Sequence, residues 1–156
     1  MGKLKVGIIG CGTIGSEMAH ACQTSLKDSV DLVGICDLIE EKAEMLRKSL
    51  KDKTPVLKIE DLVKKSGLIV EAASAKISAD ILKKAIAGKK DVLIMSVGGL
   101  IGNESLMDKA EKAGIKVYLP SGALCGIDGL KSASIGKIDS VTVSYTHLTL
   151  PTKRIV

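Results

Sequence analysis

Gly10-Cys11-Gly12-Thr13-Ile14-Gly15 follows directly on the apolar run Val6-Gly7-Ile8-Ile9. The six residues fit G-x-G-x-x-G, and the chemistry they suit is holding phosphate. A glycine at position 10 permits a tight turn off a strand. A glycine at 12 lets a pyrophosphate approach the backbone, and one at 15 lets a helix pack closely on a sheet. Thr13 and Ile14 open that helix, whose unpaired N–H groups and positive dipole end favour anions. A second apolar run, Val30–Cys36, ends in Asp37, 22 positions after Gly15. An acid roughly 20 residues beyond the glycines is placed to accept hydrogen bonds from ribose hydroxyls.

These residues need a frame, and the chain alternates accordingly. Strands are expected at Lys5–Ile9, Val30–Cys36, Leu68–Glu71, Asp91–Met95 and Ile115–Leu119, with a short edge strand at Thr54–Leu57. Helices are expected at Thr13–Ser25, Glu40–Lys51, Ile59–Lys65, Ser78–Ala87 (closed by Gly88) and Asn103–Ala113 (capped by Asn103, ended by Gly114). Six such alternations predict an α/β doubly wound parallel sheet of the Rossmann kind. Ligands of such sheets bind outside the carboxyl ends of the strands. Small residues mark those ends: Ala72-Ala73-Ser74, Ser96-Val97-Gly98-Gly99 and Pro120-Ser121-Gly122-Ala123. They leave room for a cofactor against the backbone, although each is also ordinary turn chemistry.

The chain has 156 residues, 46% hydrophobic and 26% charged, which reads as soluble and globular. With no Trp, no Phe and two Tyr it lacks the aromatic platforms of single-strand nucleic-acid binders. The net charge of +5 is scattered in pairs, Lys64-Lys65, Lys83-Lys84 and Lys89-Lys90, at the carboxyl halves of helices, where cations suit the dipole. Cys11, Cys22, Cys36 and Cys125 show neither C-x-x-C nor zinc spacing, so no metal is expected. Reduced core thiols in a cytoplasmic protein are expected instead. No signal peptide opens the chain and no apolar run has membrane-spanning length.

Groups able to move a proton are scarce. His20 lies inside the first helix, well past its phosphate end, and reads as a surface or packing residue. Asp128 near Gly126 is either a site residue or an acid at a helix start. Cys125 is either a reactive thiol there or a small buried one. Val143–Thr152 departs from everything before it and resembles the reading-frame translation of a transposase adapter used in sequencing libraries, continued by Lys153–Val156. Residues 144–156 are therefore set aside as a fusion scar. The natural chain is expected to continue elsewhere.

Val70-Glu71-Ala72-Ala73-Ser74, Ser96-Val97-Gly98 and Pro120–Leu130 resemble L-aspartate dehydrogenase in content and order. Members of that family carry a Ser-Gly-Ala-Ile-Gly-Gly-Leu-Asp run, from which this chain departs at Leu124, Cys125 and Ile127. The resemblance spans Lys5 to Val143. It implies an N-terminal domain that binds NAD, with NADP possible, and a second α/β domain that completes the substrate site and a homodimer. It implies oxidation of L-aspartate to iminoaspartate, linked to NAD biosynthesis. Ala123 would lie by the nicotinamide, with Ser121 and Gly122 on the substrate side. The family's catalytic histidine has no matching position here. The expected organisation is a dinucleotide-binding domain over 1–136, the start of a truncated second domain over 137–143, and the adapter-like tail over 144–156. Two other functions fit the fold class: the cofactor domain of another oxidoreductase, such as homoserine dehydrogenase, and a non-catalytic NAD-sensing module.

Overall fold

Among the described residues, five parallel strands, in the order β2-β1-β3-β4-β5, form the sheet of the computed structural model. They are β1 (Leu4–Ile9), β2 (Val30–Cys36), β3 (Leu68–Glu71), β4 (Asp91–Ile94) and β5 (Val117–Tyr118). Between them lie α1 (Thr13–Gln23), α2 (Glu40–Ser49), α3 (Ile59–Lys65), α4 (Ala75–Gly88) and α5 (Ser105–Lys112). The structure describes residues 2–120 and Ser140. The chain divides into two compact units, Met1–Gly122 and Ala123–Val156, and the description concerns the first. The expectations for Ser121, Gly122, Ala123, Cys125 and Asp128, for the start of a second domain and for the tail lie outside the described residues.

Side chains alternate across the strands with period two, so each strand feeds both faces. Val6, Ile8 and Val70 join Leu32 and Ile35 in a core closed by Ala19 and Cys22 of α1 and by Ala43 and Leu46 of α2. Ile9, Ile69, Val92 and Ile94 face the other way, onto Leu62 and Val63 of α3, Ile81, Leu82 and Ala85 of α4, and Leu106 of α5. Helices thus cover both faces, which is the doubly wound arrangement. Each large aliphatic side chain buried in this way stabilises the fold by about 1.5–3 kcal/mol.

Several boundaries differ from the sequence expectation. Thr54–Leu57 is not a full strand: Val56 forms one parallel bridge to Ile35. Ile35 N–H donates to Pro55 O, and Leu57 N–H donates to Ile35 O. Pro55 has no N–H to extend the ladder. With this bridge counted as a vestigial third strand, the order is the 3-2-1-4-5-6 of dinucleotide-binding sheets. α1 stops at Gln23, because Thr24 leaves helical geometry and both Thr24 and Leu26 donate to Ala21 O.

α4 starts three residues earlier than expected, with Ser74 extended at its N-cap. At its other end Lys89, not Gly88, takes the left-handed conformation, at φ 51°. Gly88 serves packing: a Cβ there would stand 2.6 Å from Val63 Cγ1 of α3. Val97–Leu100, after β4, is a 3₁₀ turn. α5 spans only Ser105–Lys112, and Asn103 contributes its backbone carbonyl to Leu106 N–H rather than a side-chain cap. Glu104 accepts from Gly102 N–H instead.

Lys64, Lys83 and Lys84 pair with Asp61, Asp80 and Glu60 on exposed helix surfaces. Such pairs contribute little to stability. Among the described residues no helix is long and apolar enough to cross a membrane.

Candidate cofactor-binding cleft

Because the strands are all parallel, their carboxyl ends share one edge. The strand order sets Asp37, Gly10–Gly15, Ala72–Ser74 and Ser96–Gly98 in that sequence along it. The sheet therefore brings together every predicted site residue that it describes.

The β1–β2 half is built by the absence of side chains. Gly10 has φ +103°, and a Cβ there would stand 2.5 Å from the Ala72 carbonyl carbon. Its N–H donates to Cys36 O, tying the turn to β2. A Cβ on Gly15 would overlap Gly10 O, so α1 rests directly on the turn. Gly12 is different: nothing lies within 4 Å of where its Cβ would be. It is the N-cap of α1, makes no side-chain cap and is followed by no acid in the first turn. Open space beside uncapped helical N–H groups fits a dinucleotide's pyrophosphate. Thr13 and Ile14, both exposed, flank this opening.

Asp37 is already oriented by the backbone. Cys11 N–H donates to its Oδ2 at 2.7 Å and Ile39 N–H donates to its Oδ1 at 2.8 Å. A carboxylate accepts about four hydrogen bonds, so each oxygen keeps a free lone pair for a hydroxyl. Leu38, beside it, is 94% exposed.

The β3–β4 half is built by a side chain that the sequence reading left out of the site. Glu71, the last residue of β3, is fully buried. Ala73 N–H donates to its Oε1 and Ser96 N–H to its Oε2, both at 2.9 Å. The only available signal was a single acid closing the apolar strand Leu68-Ile69-Val70. Beyond it Ala73, Ser74 and Gly98 are exposed, whereas Ala72, Ser96 and Val97 are half-buried.

His20 stands apart from this edge. Its Nε2 lies 3.2 Å from Ser49 Oγ of α2, about 10 Å along α1 from Thr13. Cys11, Cys22 and Cys36 are free and buried. The Cys11 thiol donates to Cys36 O, and burial, helped by the charge of Asp37, pushes its pKa up to about 12. Burial likewise raises Cys22 and Cys36. These thiols stay protonated and are packing groups, not nucleophiles. Among the described residues no three His, Cys, Asp or Glu gather to hold a metal.

Comparison with known proteins identifies the fold and the family. Solved dehydrogenases share the fold: a scyllo-inositol dehydrogenase from Lactobacillus casei superposes with TM-score 0.66 at 17% identity, over 75% of this chain and 36% of that one. A homoserine dehydrogenase from Thiobacillus denitrificans gives 0.65 at 18%, over 76% and 30%. In sequence the chain is 39% identical to an L-aspartate dehydrogenase of Methanococcus maripaludis over 92% of its own length and 55% of the relative's. It is 43% identical to that of Methanosarcina acetivorans over 90% and 53%. The chain thus spans about half the length of these curated relatives. Residues 10–120 match the family model for the homoserine dehydrogenase NAD-binding domain. A match over most of the chain, on a sheet edge shaped for a dinucleotide, establishes that the chain belongs to this family of NAD-binding domains.

Proposed function

We propose that the chain is the cofactor-binding part of an NAD-dependent L-aspartate dehydrogenase, which oxidises L-aspartate to iminoaspartate that hydrolyses to oxaloacetate and ammonia. The observation that carries this reading is the 38–43% identity to L-aspartate dehydrogenases across at least 90% of the chain. NAD supplies the hydride acceptor. Gly10, Gly12, Thr13, Ile14 and Gly15 hold its pyrophosphate at the start of α1. Asp37 holds the adenosine ribose and favours NAD over NADP, because its charge repels a 2′-phosphate and Leu38, Ile39 and Glu40 bring no cation.

Ala72-Ala73-Ser74 and Ser96-Val97-Gly98 line the nicotinamide half. Ala123 packs beside the nicotinamide, with Ser121 and Gly122 on the substrate side. The proton acceptor for the substrate ammonium and the cationic clamp for its carboxylates belong to a second domain that begins near residue 137. The 144–156 tail takes no part. The whole protein is a cytoplasmic homodimer with a small-molecule substrate, and it engages neither nucleic acid nor membrane.

Homoserine is the competing substrate, favoured by the description of the matching family model. The test is NADH formation by this chain continued to the length of its relatives, offered L-aspartate, homoserine and a polyol in parallel. Turnover of aspartate alone is expected, with none by the 156-residue chain. Oxidation of homoserine or the polyol without aspartate would overturn the assignment.

A further inference from the structure

A buried carboxylate at the end of a core strand needs a reason. Removing it from water is costly unless every oxygen is hydrogen-bonded, and an apolar side chain would fill the place without that cost. Glu71 makes no ion pair with any described residue. Its two oxygens go instead to backbone N–H groups on different loops. Ala73 belongs to the loop after β3, and Ser96 to the loop after β4. The spacing of these donors is thus set by the width of one carboxylate. The link continues, because Gly10 presses on the Ala72–Ala73 backbone. Glu71 thereby braces the phosphate turn against the ends of the next two strands.

The strand order says what this brace serves. Asp37 lies at the β2 end and the phosphate turn at β1, so a dinucleotide laid along the edge extends over β3 and β4 with its nicotinamide half. We infer that Glu71 is a positioning residue that holds the Ala72–Ser74 and Ser96–Gly98 loops at the separation required by the nicotinamide half of the cofactor. The inference rests on reading this edge as the cofactor cleft.

Glu71→Gln keeps the size and replaces one acceptor by an amide NH₂, which then faces a backbone N–H donor to donor. Binding of NAD and of ADP-ribose, which lacks the nicotinamide, is measured by calorimetry on the 156-residue chain and on the variant. The expected result is about a tenfold weaker NAD with ADP-ribose changed less than about twofold, the scale of one lost charge-assisted hydrogen bond. Equal weakening of both ligands would reduce Glu71 to a structural bolt and overturn the inference, as would no change in either. Should Glu71→Gln not fold, Glu71→Asp is read by the same ratio, since it keeps the charge but is too short to reach both donors. Failure of the unmutated chain to bind either ligand would instead sink the cleft assignment beneath it.

Discussion

The β1–β2 and β3–β4 halves of the carboxyl edge solve the same problem by opposite means. In the first, glycines leave space, and the backbone forms the surface. In the second, one buried side chain holds the backbone of two loops in place. The contrast teaches where each half is vulnerable. A half made by omission is damaged by adding atoms, whereas a half made by a brace is damaged by changing one.

Gly15→Ala should break the first half most severely. Its Cβ would overlap the Gly10 carbonyl, a backbone group that cannot swing away. A loss of about 3 kcal/mol is expected, read as a lowered midpoint in urea. A midpoint unchanged within error would show that α1 does not rest on the turn.

Gly12→Ala separates folding from binding within the same loop. Its Cβ meets nothing, so stability should change by less than about 0.5 kcal/mol. NAD should nevertheless bind about 100-fold more weakly, because a methyl group occupies the approach to the helix N–H groups. Retained affinity in calorimetry would place the pyrophosphate elsewhere.

Asp37→Ser addresses specificity. Removing the charge should shift the NADP-to-NAD affinity ratio about tenfold towards NADP. Tighter NADP than NAD binding by the unmutated chain would refute the role given to Asp37.

A further effect concerns pH. Cys11 is raised from the ordinary thiol value of 9.0 to about 12, so between these values the unfolded chain has lost a proton that the folded chain keeps. Its contribution is complete below pH 9 and is lost as pH rises towards 12, by an amount on the order of 1 kcal/mol per pH unit. Urea midpoints at pH 8 and pH 10.5 should show the decline, and Cys11→Ala should flatten it. An equally steep decline in Cys11→Ala would assign the effect to other groups.

Much of the first half was legible because its signals are local. A glycine spacing, an apolar run and an acid at a set distance each follow from what a short stretch of backbone can do. The α3 and β3 boundaries matched for the same reason. One misplaced boundary had a tertiary cause: Gly88 looked like a helix stop, but its small size admits α3. Thr54–Leu57 looked like a strand, yet only Val56 pairs.

By itself the sequence determined the glycine turn after β1, the acid after β2 and the alternation of strand and helix. Hydrophobic period and glycine chemistry act over a few residues and need no partner to be read. Only the tertiary structure decided that Asp37 is oriented by Cys11 N–H and that Glu71 joins two loops. Ser96 lies 25 residues from Glu71, and Cys11 lies 26 from Asp37. Whether a carboxylate meets a donor across such a separation depends on which strands become neighbours, and parallel pairing settles that only once the whole sheet has formed.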